Sequence, residues 1–322
     1  MRMHEFRAMN TSVMLALEPD TGSDEGLRWT QAFIEECESC FSRFLPASEV
    51  SRLNASAGEW TPVSAELLDL LALSKAYYQE TGGLFDPSVL PDLKRAGYDV
   101  SMDEMRKRGD RGGQTAEHAP RADFGSIELD TAARRVRMPD GMQVDLGGIA
   151  KGWIVQEAAK RLRTYGKAAA VNAGGDMYFA GLPGDGTKWQ VRIENPWDPS
   201  HAAAMLEVGE VAVVTSSISK RTWKQAGRAR HHIIDPRTGE PAEPEWVSVT
   251  AIAPDADLAE AYAKAFLIGG RGEATRLMLQ RPRVAVLCID PSGRLFASSN
   301  SKEYLRDDHQ LFQFNQNESP HG

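Results

Sequence analysis

The chain has 322 residues, 42% of them hydrophobic and 25% charged, with a formal net charge of -8 from 37 lysines and arginines against 45 aspartates and glutamates. That is enough apolar material for one large domain or two modest ones. The acidic balance argues against a general nucleic-acid binder or a binder of anionic membranes, since both partners select for a basic surface, so any polyanion must be met locally. No run approaches the roughly 20 apolar residues that span a bilayer. The opening Met1-Arg2-Met3-His4-Glu5-Phe6-Arg7 is charged and lacks the apolar stretch of a signal peptide, so a cytoplasmic protein is expected.

In chain order, residues 7–17 read as a strand and about 26–44 as a helix. Within that helix Cys37 and Cys40 have Cys-x-x-Cys spacing, but Cys288 is the only other cysteine and lies in an apolar run. The plain reading is a helix packing its small side chains against a sheet, not a metal or redox pair. A second helix, about 64–79, starts with Ser64 as N-cap and is closed by Gly82-Gly83. Residues 101–123 are polar and rich in charge, and read as a surface excursion. Alternation at 127–129 and 136–138, the turn Pro139-Asp140-Gly141 and a further strand at 143–146 indicate antiparallel pairing. The second half adds strands at 168–171, 176–180, 189–193, 203–208, 211–215, 232–234, 247–253, 284–290 and 294–297, with helices between some of them. Helices and strands that do not strictly alternate make the class α+β. One domain over 1–300 is expected, followed by a polar tail at 301–322.

The most informative stretch is Val144-Asp145-Leu146-Gly147-Gly148-Ile149-Ala150-Lys151-Gly152, followed by Ile154, Val155, Ala158, Ala159 and Leu162 at helical spacing. Its glycines therefore sit at a helix N-terminus, where unpaired N–H groups and the positive dipole end favour an anion. The spacing matches neither a Walker loop nor a dinucleotide fingerprint, and a tight turn that packs a helix onto a sheet is the plainer alternative. Four more segments have the composition of binding loops: Phe85-Asp86-Pro87-Ser88, Asn172-Ala173-Gly174-Gly175-Asp176, Thr215-Ser216-Ser217, and His231-His232-Ile233-Ile234-Asp235-Pro236-Arg237-Thr238-Gly239. Small residues beside Asn, Asp, Ser and His suit a polar, elongated ligand. A histidine of the last segment fills a polar niche of the core or takes a proton from a hydroxyl nucleophile.

Taken in order with Phe6-Arg7-Ala8-Met9-Asn10-Thr11, Ser48-Glu49-Val50-Ser51-Arg52-Leu53-Asn54 and Thr81-Gly82-Gly83-Leu84-Phe85-Asp86-Pro87-Ser88-Val89, these blocks resemble the ApbE family of FAD:protein FMN transferases over about residues 6–298. The resemblance implies a T-fold-like α+β unit of largely antiparallel sheets. It also implies FAD in a cleft, a magnesium ion at the pyrophosphate, and transfer of FMN to a Ser or Thr hydroxyl of a protein acceptor with release of AMP. Carried over position by position, it makes His232 the base, with Lys151 and the backbone of Gly147 to Gly152 meeting phosphate. Asn172, Gly174, Gly175 and Asp176 match the flavin-site loop. Met9, Asp86, Ser216, Ser217, Asp235 and Lys264 complete the cofactor contacts, and Gly148 and Glu260 are the metal candidates.

Two departures bear on the metal. The family pattern has an Asp and, four residues later, a Thr, where this chain has Glu260 and Lys264. An ammonium cannot ligate magnesium and repels it, although Lys264 could pair with Glu260 or meet the pyrophosphate as a point charge. Asn10 and Phe44 stand where Gly and Tyr are usual. The alternatives to transfer are a non-catalytic FAD-binding protein with an altered metal site and an FAD pyrophosphatase.

Overall fold

Apolar alternation at the N-terminus forms a hairpin, not the single strand expected over 7–17. In the computed structural model, which describes residues 1–19, 23–110, 121–306 and 311–313, β1 (Arg2–Ala8) pairs antiparallel with β2 (Thr11–Pro19). Met9 and Asn10 turn the chain with φ of 52° and 56°. Two consecutive left-handed residues match the twist of a two-residue hairpin, and Asn tolerates that region. The alternation runs through the turn, which hides it from a periodicity reading.

Next come α1 (Ser23–Phe41), α2 (Glu49–Ala55), β3 (Thr61–Pro62) and α3 (Ala65–Glu80). Cys37 is buried and Cys40 half-buried in α1, both as free thiols, and burial pushes the Cys37 thiol up to about 12, so α1 uses its cysteines for packing. Ser64 caps α3 as expected, its Oγ accepting from Leu67 N–H at 3.1 Å. Gly82 and Gly83, both left-handed, close it. The polar stretch after α4 (Leu90–Arg95) contains α5 (Met102–Arg108), capped by Ser101, while 111–120 lie outside the described residues. After β4 (Glu128–Asp130) and β5 (Arg135–Arg137), no strand forms over 143–146. The Asn54 side chain instead bonds both backbone groups of Val144, at 2.8 and 2.9 Å, in place of a neighbouring strand.

The rest is α6 (Ala150–Leu162), β6 (Gly166–Ala173), β7 (Asp176–Ala180), β8 (Trp189–Glu194), β9 (Ala202–Val208), β10 (Ala212–Ser217), β11 (Thr222–Gln225), β12 (Arg228–His231), β13 (Ile234–Asp235), β14 (Glu240–Pro241), β15 (Ser248–Ala253), α7 (Ala256–Gln280), β16 (Ala285–Ile289), β17 (Leu295–Ala297) and β18 (Leu311–Gln313). Residues 232 and 233, expected within a strand, fall between β12 and β13. Of the expected polar tail, Ser299–Tyr304 is a 3-10 turn and β18 joins the sheet, while 307–310 and 314–322 lie outside the described residues.

The main sheet has nine strands in the order β1-β2-β6-β7-β10-β15-β16-β17-β18, antiparallel except for the last pair. Both faces of its central strands are covered. Leu15, Val171, Val214, Val249 and Ala251 point into the core shared with α1, α6 and α7, and the alternate residues Ala16, Ala170, Val213 and Ile252 pack with Val191, Ile193, Leu206 and Val208 of the β8–β9 hairpin. Burial on both faces explains why β15 is apolar or small along its whole length. The class is α+β, as expected. Among the described residues no helix is long and apolar enough to cross a membrane.

Candidate functional site

The glycine-rich run brings the N-termini of α6 and α7 into backbone contact. A Cβ on Gly152 would lie 2.7 Å from the carbonyl carbon of Ala256, nearer still to its oxygen, and 3.0 Å from the Asp257 nitrogen, so no side chain fits there. At that contact Gly152 N–H donates to Glu260 Oε2 at 2.8 Å. Gly147 N–H donates to Asp145 Oδ1 at 2.8 Å. The amides of Gly147 and Gly152 thus already have acceptors within the chain. Space is also tight at Gly148, where an added Cβ would meet the Lys264 side chain at 3.2 Å and the Phe85 ring at 3.5 Å.

Glu260 is fully buried, and its Oε1 faces two ammonium groups, Lys264 Nζ at 3.0 Å and Lys151 Nζ at 3.6 Å. Lys151 also contacts Asp176 Oδ2. Burial alone would raise the Glu260 pKa, but Lys264, Lys151 and the Gly152 N–H outweigh it and hold the carboxylate below its usual range. Lys151 moves the other way, down to about 8. Burial is the main cause, Glu260 opposes it, and Arg221 and Lys264 add to it.

Three adjoining cavities meet at Gly147 and Arg221, which line all of them. The first is bounded by Met9, Phe41, Phe44, Tyr98, Lys151 and Ile154. Arg43 forms part of its wall, donating from Nε to Asp145 Oδ2 at 2.9 Å and lying 4.1 Å and 4.7 Å from the ring centroids of Phe44 and Tyr98. The second is lined by Phe85, Asp86, Gly148, His232, Ile234 and Lys264. The third is polar, lined by Lys151, Gly174, Gly175, Asp176, Ser216, Ser217, His232 and Lys264.

The two histidines separate in role. His231 Nε2 bonds Ala242 O at 3.0 Å and fills the polar niche. His232 lies in the wall shared by the second and third cavities, and its buried Nδ1 has no hydrogen-bond partner among the described residues. Burial, and then the positive fields of Arg221, Lys264, His231 and Lys151, hold its pKa well below 6.5. The ring is therefore neutral at neutral pH and able to accept a proton.

Most residues named from the sequence converge on this cleft, and three do not line it. Asn172 accepts Gly175 N–H at 2.9 Å and shapes its own loop. Asp235 pairs with Arg237 at 2.7 Å and receives Gly239 N–H on its backbone oxygen at 2.8 Å, as a turn residue does. Glu260 lies beneath the cleft floor. Asp86 lines the second cavity and accepts from both Ser88 N–H and Ser88 Oγ, at 2.8 and 2.6 Å. Reading the sequence overlooked Arg221 and Arg43. Arg221 follows the Ser-rich end of β10, and a cation just past a predicted binding loop is the signal that would have found it.

The donor set does not fit a resident magnesium ion. A metal at Glu260 would have to displace Gly152 N–H from one oxygen and stand beside two ammonium groups at the other, and neither Lys151 nor Lys264 can ligate it. Among the described residues, no group of three or more His, Cys, Asp or Glu side chains is placed to hold a metal ion.

The ApbE family model matches residues 9–288. A protein of Treponema pallidum named FAD:protein FMN transferase is 30% identical over 291 residues, 85% of this chain and 79% of that protein. One of the same name from Vibrio cholerae is 30% identical over 283 residues, 84% and 82% of the two chains. Among solved structures, the ApbE protein of Thermotoga maritima superposes with a TM-score of 0.81 at 25% identity, covering 95% of this chain and 99% of its own. The flavin transferase ApbE of Vibrio cholerae superposes with a TM-score of 0.77 at 24% identity, covering 94% and 99%, and supports the fold.

Proposed function

The chain belongs to the ApbE family, and on that premise we propose that it is an FAD:protein FMN transferase, a flavin-handling enzyme that moves FMN from FAD to a Ser or Thr hydroxyl of an acceptor protein. The observation that carries the site assignment is His232, a neutral imidazole whose buried Nδ1 has no partner among the described residues, in a wall shared by two cavities. In the reaction the acceptor hydroxyl oxygen attacks the FMN-side phosphorus of FAD. A new phosphoester bond forms, the bond from that phosphorus to the bridging oxygen breaks, and AMP leaves with that oxygen. The hydroxyl proton passes to His232.

Met9, Asp86 and the glycine loop of Gly174, Gly175 and Asp176 are assigned to flavin and adenosine contacts, with Ser216 and Ser217 beside them. Asn172 and Asp235 act by shaping their loops. Lys151, Gly147 and Gly148 are assigned to the phosphates: Gly147 lines all three cavities, Lys151 the first and third, and Gly148 the second. Lys151, Lys264 and Arg221 line these cavities, and a local group of cations is how an acidic protein meets an anionic substrate.

The test is incubation with FAD and several proteins bearing a flavinylation motif, with mass spectrometry for the FMN adduct and chromatography for AMP. An FMN adduct matched by AMP is expected. AMP with free FMN and no adduct would make the chain a pyrophosphatase, and bound FAD without AMP or adduct would make it a flavin-binding protein.

A further inference from the structure

The mismatch between the acidic position and a metal leads beyond that reading. Glu260 is not poised as a ligand: its two oxygens are taken up by Lys264, Lys151 and the Gly152 amide. The Lys264 stem packs over Gly148, 3.2 Å from where a Cβ would lie, and its ammonium is held by Glu260 Oε1 at 3.0 Å. Lys264 lines the second and third cavities, Lys151 the first and third, and Arg221 all three, so the three cations ring the point where the cavities join. Arg221 has no ion pair with any other described residue.

We propose that Lys264, with Lys151 and Arg221, binds the diphosphate of FAD in place of a divalent cation, so that this chain binds its dinucleotide without metal. The carboxylates in contact with these three cations are Glu260 and Asp176, while Asp145 and Asp86 pair with Arg43 and Arg121, which leaves positive charge for a diphosphate that carries two negative charges. Glu260 then serves as a positioning residue: it holds both lysines in place and is itself held by Gly152. A magnesium ion bound between the same groups would meet the ammonium of Lys264 in the space it needs, so metal and lysine are alternatives at one place.

The inference rests on FAD being the ligand, as the transferase reading holds, and its test separates the two. FAD affinity of the full chain is measured by flavin fluorescence in EDTA and again in magnesium chloride, with AMP release followed in parallel. Wild-type affinity is expected to agree within about twofold between the two conditions. Lys264→Thr is expected to weaken FAD binding in EDTA about tenfold, equivalent to about 1.4 kcal/mol, and Lys264→Arg to keep it. Magnesium tightening wild-type binding about tenfold, or Lys264→Thr matching the wild type in EDTA, would overturn the inference. The wild-type comparison needs no variant, so a misfolded Lys264→Thr does not blunt the test. Tight metal-free binding with no AMP or adduct would instead sink the transferase reading and leave the cation ring standing.

Discussion

Replacing Gly152 by alanine probes the contact on which the site is built. The new methyl would sit 2.7 Å from the Ala256 carbonyl carbon and 3.0 Å from the Asp257 nitrogen, and both are backbone atoms that cannot rotate away. α6 and α7 must therefore move apart. Overpacking of this kind costs about 1–3 kcal/mol. Separation also stretches the 2.8 Å bond from Gly152 N–H to the buried Glu260 carboxylate, an interaction of a class worth about 1.5–3 kcal/mol. Alanine regains about 1 kcal/mol over glycine within a helix. The expected net loss is about 1.5–5 kcal/mol, read as a lower urea midpoint with an unchanged slope, together with weaker FAD binding as Glu260 and its two lysines shift. Gly272 in α7 is the control. Nothing lies within 4 Å of a Cβ there and its φ is not left-handed, so Gly272→Ala should be neutral or stabilising by up to about 1 kcal/mol. If Gly152→Ala stays within about 0.5 kcal/mol of wild type, or falls no further than Gly272→Ala, the account of this contact is wrong.

His232→Ala should slow FMN transfer about 10²–10⁴-fold while FAD affinity changes little. Because burial and neighbouring cations depress the His232 pKa, the base form persists through neutral pH, and the wild-type rate should fall only as pH drops well below 6.5. An acid limb centred at or above 6.5 would contradict this. Lys151 titrates at about 8 folded against 10.5 as an ordinary lysine, so between those values the unfolded chain binds the extra proton. Its contribution to stability therefore rises with pH across that window, and Lys151→Met should flatten the rise in denaturation midpoints from about pH 7.5 to about pH 10.5. Equal slopes for the two proteins would count against the burial of that ammonium. Ser64→Ala removes both the α3 cap to Leu67 N–H and the 2.8 Å bond to Glu49 Oε2, and should lower stability by about 1 kcal/mol in thermal or urea melts, with Ser64→Thr losing less.

Features set by local chemistry were legible from the residues alone. The Ser64 cap, the Gly82-Gly83 stop, the strand at Asp176–Ala180 and the antiparallel α+β class follow from hydrogen-bonding capacity, backbone freedom and side-chain period, which act within a few residues. The ordered binding blocks were legible too, because each needs small or turn-forming residues in a short span. Less visible were features that depend on partners distant in sequence. Residues 143–146 look like a strand by alternation, yet the backbone of Val144 is satisfied by Asn54, 90 positions earlier, and the Asp145 N–H by Pro87 O. Asn172 and Asp235 have the composition of ligand residues, but they spend their acceptors on their own turns.

By itself, the sequence determined the class, the family and the cluster of loops that carry His232 and the glycine-rich run, since those are properties of residue type and order. It left the glycines of that run ambiguous between holding phosphate and packing a helix. The tertiary structure decided that Gly152 is where two helices touch and that Gly148 makes room for Lys264. It also showed that Glu260, a ligand candidate by position, is the buried counter-ion of two lysines. The physical reason is that a carboxylate's role depends on what faces its two oxygens, and here those partners come from α6 and α7, more than 100 residues apart.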